Sequence, residues 1–262
     1  MARLRVGFVE WPEGLTGGGA HWDGIGAAVA ASRPDLLVTN ELPFGPWLAD
    51  SPDFSEAEAE RSIRAHGDGL ESLIALGVPA ILSSRPVRHG DRLANEAFVL
   101  EGGRVRPLHR KQVFPGEPGW FESAWYAGDG SGFAVADILG IGVGVLLCTE
   151  AMFNEQARFY GRQGASLIVI PRASGVDRAP WRTAGAMAAL VSGAYVASSN
   201  RVGLSGGGTR FGGGGFACAP GGRLIGETGA GHSLVSFDLD PAEAAAAQRG
   251  YPCYVGEIGG SA

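Results

Sequence analysis

The sequence is poor in cysteine and in clustered metal ligands. Its 262 residues contain only three cysteines, Cys148, Cys218 and Cys253, an odd number without CxxC spacing. Cysteines so widely spaced argue against a disulfide framework, and the five histidines are dispersed along the chain without a metal-binding pattern. These absences exclude a small fold held together by disulfides or by a structural metal ion.

Long apolar runs and basic stretches are also missing. No apolar segment reaches the roughly 18 to 20 residues needed to cross a bilayer, and 21 basic against 27 acidic residues give a net charge of −6. We therefore expect neither a membrane nor a nucleic acid as partner. The initial MARLRVGFVEW enters a strand-like pattern at once, so we expect no signal peptide and a cytoplasmic protein.

Strand-like apolar runs alternate with helical segments along the chain. Strands are predicted at residues 4–11, 35–41, 79–87, 95–111, 132–148, 165–171 and 195–203, with a closing hairpin over 215–238. Helices are predicted at about 22–32, 55–77, 153–163 and 181–195. This alternation indicates an α/β layered fold, which we expect to occupy residues 1–262 as one domain. The hairpins favour a mixed sheet or a sandwich of two sheets.

Three polar residues follow apolar strands closely: Glu41 after LLVTN, Lys111 after VRPLHR, and Cys148 after GVGVLL. Active sites on α/β frameworks gather at strand ends, so these three residues can converge. A thiol becomes a strong nucleophile when a base takes its proton, and a carboxylate can be that base. A lysine can hold a developing oxyanion. The pattern therefore indicates nucleophilic catalysis by Cys148.

The sequence resembles the nitrilase (carbon–nitrogen hydrolase) superfamily over nearly its whole length. The segments that carry the likeness are LLVTNELPFGPW, NEAFVLEGGRVRPLHRKQVFP, GVLLCTEAMFNEQARFYGRQGASLIVIPRAS, AYVASSNRVG and GGGFACAPGGRLIGE. The resemblance implies an α/β fold, a four-layer αββα sandwich with two mixed sheets flanked by helices. It also implies a Glu-Lys-Cys triad, with Glu41 as general base, Lys111 at the oxyanion and Cys148 as nucleophile.

The resemblance implies further site residues around this triad. A second glutamate is expected between the lysine and the cysteine, and the segment GWFESAWYAGDG fits Glu122 better than Glu117. The N–H of Thr149 is expected to help hold the oxyanion. Two tryptophans and one arginine are candidates for substrate binding, although each can also serve packing or a surface ion pair: Trp120, Trp125 and Arg172. No pattern places His109 near Cys148.

The substrate is less defined than the triad. Thr149-Glu150 follows the cysteine where the family often has Trp-Glu or Tyr-Asp, so neither the nitrile nor the amide pattern is matched fully. The resemblance implies an amidase that cleaves a small amide or carbamoyl compound through a Cys thioester. It implies no metal or organic cofactor, and a homodimer or larger homo-oligomer. A nitrilase acting on a nitrile and a catalytically silent binding protein of the same fold are the alternatives.

Overall fold

The protein is described by a computed structural model that covers residues 3–256. Its strands are β1 (Leu4–Pro12), β2 (Leu36–Val38), β3 (Ala80–His89), β4 (Arg92–Glu101), β5 (Arg104–Arg110), β6 (Ala136–Ile138), β7 (Ile141–Val145), β8 (Leu167–Arg172), β9 (Tyr195–Leu204), β10 (Arg210–Gly212), β11 (Phe216–Cys218), β12 (Leu224–Glu227) and β13 (Leu234–Leu239). Its helices are α1 (Ala20–Ser32), α2 (Glu56–Ala75), α3 (Glu122–Trp125), α4 (Asn154–Arg162), α5 (Ala179–Ser192) and α6 (Pro241–Gln248). Within this part of the chain, no helix has the length and apolarity that a membrane crossing requires.

The strands form two sheets that β1 joins. The first sheet runs β5-β4-β3-β2-β1, and β13 pairs antiparallel with the other edge of β1. The second sheet contains β6-β7-β8-β9, with β10 and β11 paired to β9 and β12 paired to β11. Residues 10–12 of β1 also pair in parallel with residues 200–202 of β9. One strand therefore belongs to both sheets.

Alternate residues of the central strands face different layers, as the twofold period of a strand requires. Val6 of β1 and Val169 of β8 belong to the core between the two sheets. Val9 and Leu37 pack with α1 and α2, whereas Ile168 packs with α4 and α5. The layers are therefore helices, sheet, sheet and helices, and the predicted four-layer αββα sandwich is confirmed.

Three predicted elements differ from the observed ones. β2 ends at Val38 rather than continuing to Glu41, and β7 ends at Val145 rather than reaching Cys148. In both places the chain leaves the sheet before the polar residue, and Glu41 and Cys148 make their contacts outside the strands, with Lys111 and Ala173. The expected closing hairpin is also divided, because β12 pairs with β11 whereas β13 crosses to the open edge of β1.

Two glycines of α2 give a matched test of how closely this helix packs on the segment that follows β2. A Cβ added to Gly69 would lie 2.3–2.5 Å from the ring of the buried Phe44, whereas one added to Gly67 would meet nothing within 4 Å. Alanine is favoured over glycine in a helix by about 1 kcal/mol, and overpacking costs about 1–3 kcal/mol. We expect Gly67→Ala to raise and Gly69→Ala to lower the free energy of unfolding measured in urea, and a gain for both would contradict the packing.

Candidate active site

A lysine ammonium held between two carboxylates forms the centre of the site. Lys111 Nζ donates to Glu41 Oε1 at 2.8 Å and to Glu122 Oε2 at 2.5 Å. All three side chains are fully buried. The second oxygen of each carboxylate, Glu41 Oε2 and Glu122 Oε1, has no hydrogen-bond partner among the described residues. Each is therefore free to take part in chemistry.

Three elements bring these groups together. Glu41 follows β2, Lys111 follows β5, and Glu122 is the first residue of α3. Asn95 of β4 links two of them, because its carbonyl accepts from the Lys111 N–H at 2.9 Å and its side-chain amide donates to Glu41 Oε1 at 2.8 Å. The antiparallel pairing of β4 and β5 therefore fixes the lysine relative to the glutamate.

Cys148 lies at a tight turn between β7 and α4. It begins a 3₁₀ turn, Cys148–Met152, and has φ of +50°, a region that is costly for a residue with a side chain. Its thiol is buried and its Sγ lies 3.8 Å from the carbonyl oxygen of Ala173. A side chain within a straight strand of this sheet would point either into the core between the sheets or into the helix layer. Because Cys148 lies in the turn after β7, its thiol faces neither layer.

Glu150 joins the cysteine turn to the segment that carries the lysine. Its carboxylate accepts from Leu147 N–H at 2.8 Å, Gln112 N–H at 2.7 Å and His109 Nε2 at 2.9 Å. Leu147 precedes the cysteine and Gln112 follows the lysine, so one buried carboxylate holds both segments. This role of Glu150 and His109 was not predicted from the sequence. The signal in the sequence is Glu150 itself, an acidic residue two positions after the cysteine within the segment that resembles the family.

Burial and charge set the protonation of these groups. Burial alone would lower the pKa of Lys111, but Glu122 and Glu41 hold it well above its usual value, so the amine stays charged. Burial raises the pKa of Glu122 to about 7, against the opposing effect of Lys111. Burial, followed by the charge of Glu41, raises the pKa of the Cys148 thiol. The sulfur is therefore a protonated thiol at neutral pH, and attack on a substrate requires a base.

A cavity of about 230 Å³ opens beside the cysteine. Its lining residues are Pro115, Glu117, Trp120, Glu122, Cys148, Thr149, Ala173, Ser174, Gly175, Asp177, Pro180 and Trp181. The volume is below the 300–1,000 Å³ that is usual for sites of drug-sized ligands. The cavity therefore fits a small substrate with a short, partly apolar chain.

The structure places the other predicted residues in different surroundings. Trp120, Thr149 and Glu117 line the cavity. Glu117 is exposed and does not contact the Lys111 ammonium, which pairs with Glu122 instead. Trp125 lies outside the cavity lining, buried against Phe54, with its Nε1 donating to a backbone carbonyl at 2.7 Å. Packing, rather than substrate contact, explains its position.

Arg172 is also outside the cavity lining. It is 1% exposed, and its three nitrogens donate to Ser198 Oγ at 2.7 Å, Ser174 Oγ at 2.8 Å and Gly214 O at 2.8 Å. Burial lowers its pKa to about 10, so it remains charged at neutral pH. Because its donors are already engaged, Arg172 holds loops of the second sheet together and is not presented to a substrate carboxylate.

The arrangement can perform acyl transfer to a thiol. Cys148 and Glu122 line the cavity, and Lys111 joins Glu122 to Glu41. A thiol, a carboxylate and an ammonium group are the groups required to attack and hold a carbonyl. Within residues 3–256, no group of three or more His, Cys, Asp or Glu side chains is arranged to hold a metal ion.

The chain is similar to known proteins in both sequence and fold. The family model for carbon–nitrogen hydrolases matches residues 21–249. An (R)-stereoselective amidase from a Pseudomonas species is 25% identical over 229 residues, covering 86% of this chain and 80% of the amidase. A carbon–nitrogen hydrolase from Helicobacter pylori G27 has the same fold, with a TM-score of 0.84 at 19% identity over 96% of this chain and 94% of the other.

A second solved structure is a cysteine-to-alanine variant of an amidase from Nesterenkonia sp. in complex with butyramide. It has a TM-score of 0.74 at 21% identity, and the alignment covers 95% of this chain and 94% of the amidase chain. Because the family model matches most of the sequence, the predicted resemblance is confirmed. The chain belongs to the carbon–nitrogen hydrolase family of the nitrilase superfamily, and it is a hydrolase of carbon–nitrogen bonds other than peptide bonds.

Proposed function

We propose that the protein is a thiol amidase that cleaves a small amide or carbamoyl compound through a Cys148 thioester. The observation that carries the proposal is the buried Lys111, held between Glu41 and Glu122. It lies close enough to Cys148 for the charges of the cluster to act on the pKa of the thiol. The butyramide complex of the Nesterenkonia amidase supports a short amide as substrate.

Acylation begins when the amide carbonyl enters the cavity beside Cys148. Glu41 takes the thiol proton as the sulfur attacks the carbonyl carbon, and the carbonyl electron pair moves to oxygen. Lys111 and the N–H of Thr149 hold the oxyanion. The second N–H of a helical turn has no acceptor within the turn, which leaves that of Thr149 available. Glu41 then gives its proton to the leaving nitrogen, the carbon–nitrogen bond breaks, and ammonia or an amine leaves a thioester.

In deacylation Glu41 again acts as the base, and the sulfur of Cys148 becomes the leaving group. Glu41 takes a proton from a water molecule, which attacks the thioester carbon, while Glu122 orients that water or holds Lys111 in place. The carbon–sulfur bond breaks and the sulfur recovers the proton, which releases a carboxylic acid. The chain's own residues supply every proton transfer in this scheme.

Replacing the nucleophile tests the covalent step. We expect Cys148→Ala to abolish ammonia release from butyramide, together with the acyl-sized mass gain that intact-protein mass spectrometry should detect in the wild type. Cys253→Ala is the matched control, since it removes another thiol that is partly exposed, and it should retain both signals. Hydrolysis by the Cys148→Ala variant would contradict the proposal.

The same assay separates the alternatives. Butyronitrile has the same carbon chain as butyramide, and a nitrilase would release ammonia from the nitrile through a thioimidate but not from the amide. A catalytically silent protein would give neither ammonia nor an adduct with either compound. We expect release from butyramide alone.

A second variant tests the clamp at Glu150. The two carboxylate oxygens of Glu150 accept from three donors, whereas the amide of Glu150→Gln has only one oxygen that can accept. At least one buried N–H is then left unpaired, at a cost of about 1–3 kcal/mol. Since Glu150 does not line the cavity, we expect kcat to fall about 10- to 100-fold with little change in KM. Glu155→Gln, an exposed change on α4, is the control. An equal rise in KM would show that Glu150 acts on substrate binding instead.

We propose further that the protein forms a homo-oligomer through the outer face of α4 and α5. Five large apolar side chains are exposed on these helices and on the turn before α4: Met152, Phe153, Phe159, Met187 and Leu190. Exposed apolar patches mark interaction sites more often than single exposed residues do. We expect light scattering to give at least twice the monomer mass for the wild type and the monomer mass for Phe159→Arg. Leu224→Arg, an exposed apolar residue on β12, should leave the mass unchanged.

A further inference from the structure

The charged side chains that line the active-site cavity are all acidic. They are Glu117, Glu122 and Asp177, and no lysine or arginine is found among the described residues of the lining. The nearby cations are already engaged: Lys111 lies between two carboxylates, and Arg172 donates to three groups behind the cavity wall. The charge of Glu122 is balanced by its ion pair with Lys111, so the negative charge that the walls leave unpaired comes from Glu117 and Asp177.

The acids occupy two ends of the cavity. Glu122 is fully buried with Cys148 at the inner end, where its Oε1 has no partner within the described chain. Glu117 and Asp177 are exposed and mark the outer end. A short amide whose carbonyl carbon lies at Cys148 therefore directs the far end of its chain towards Glu117 and Asp177.

These two outer carboxylates are available to a ligand. Neither takes part in an ion pair within residues 3–256. Asp177 Oδ1 accepts from the N–H of Ala179 at 3.1 Å, which fixes the side chain at the start of α5. The guanidinium of the adjacent Arg178 is directed to the carbonyl of Gly212, to which it donates at 2.6 and 3.2 Å, and among the described residues it forms no ion pair with Asp177.

The walls between the two ends suit an aliphatic chain that ends in a cation. Trp120 and Trp181 line the cavity with Pro115 and Pro180, so methylene groups meet apolar surface. The face of an indole ring also attracts an ammonium group. A carboxylate at the same place would meet two like charges and no cationic partner.

We propose that the preferred substrates are short aliphatic amides or carbamoyl compounds whose far end carries a primary ammonium group, and that Glu117 and Asp177 select against a terminal carboxylate. This inference rests on the proposed function for the orientation of the amide. It deepens that function by assigning the charge of the substrate and two specificity-determining residues.

Three amides of matched length test the inference: γ-aminobutyramide, butyramide and succinamate, which are cationic, neutral and anionic. We expect kcat/KM for ammonia release to fall in that order, with the cationic amide at least about tenfold above the anionic one, since each partly exposed charge contact contributes modestly. Raising the ionic strength from about 0.01 M to about 1 M shortens the screening length from about 30 Å to about 3 Å. The preference should shrink accordingly.

Variants at the outer end of the cavity test whether Glu117 and Asp177 cause the preference for the cationic amide. The double variant Glu117→Gln/Asp177→Asn should bring the ratio of cationic to anionic amide to within about threefold, and Asp177→Lys should favour succinamate relative to the wild type. Asparagine keeps an oxygen for the Ala179 N–H, so the start of α5 is preserved. Asp68→Asn, an exposed acid on α2, removes the same charge elsewhere and should leave the ratio unchanged.

Calorimetric binding of the three amides to the full-length Cys148→Ala variant separates this inference from the proposed function. Tighter binding of γ-aminobutyramide than of succinamate, with no such preference once the double variant is added to Cys148→Ala, supports the inference. It does so even if the wild type hydrolyses none of the three amides. That absence of hydrolysis would overturn the proposed function alone. Equal affinity for the cationic and anionic amides, or a preference that the double variant retains, overturns the inference even if butyramide is hydrolysed.

Discussion

The burial of one ammonium group between two carboxylates is the interaction on which the site depends. Taking three charges out of water is costly, and the cost is recovered only if their geometry is held closely. Removing the lysine would leave two like charges facing each other in the interior. The chain after β2, the chain after β5 and the start of α3 must therefore stay in register, and the hydrogen bonds of Asn95 serve that purpose.

Two buried arginines support the loops around this cluster. Arg201 donates to the carbonyl oxygens of Glu41 and Leu42, and its guanidinium lies 5.3 Å from the ring centre of Phe211. Arg172 does the same for the loops of the second sheet, with its guanidinium 5.1 Å from the ring centre of Trp181. Cation–aromatic contact and hydrogen bonds to carbonyl oxygens together make charged side chains acceptable in the interior.

Much of this arrangement could be predicted from the sequence because it depends on local patterns. Glu41, Lys111 and Cys148 each follow an apolar run, and Glu122 lies in a recognisable aromatic segment, so their positions could be read along the chain. The fold class followed from the alternation of strands and helices together with the family likeness. These features need no knowledge of which distant segments touch.

The rest depends on contacts between distant residues. Trp125 precedes a tyrosine and flanks Glu122, yet only its packing on Phe54 shows that it lies outside the cavity. Glu150 and His109 are 41 positions apart, and nothing in their neighbourhoods indicates their hydrogen bond. The crossing of β13 to β1 was likewise missed, because β12 and β13 are neighbours in sequence and a hairpin is the simpler arrangement.

The role of β1 in both sheets has a consequence for how the chain folds during synthesis. Its partners β9 and β13 begin about 190 and 230 residues after it, and such long-range pairings are slow to form because the intervening loop must close first. Once β2 has paired with one edge of β1, the edge that β13 will occupy therefore stays unpaired until β13 has been synthesised. Until then the unpaired edge can pair with another chain, so slow completion of this sheet exposes the nascent protein to aggregation.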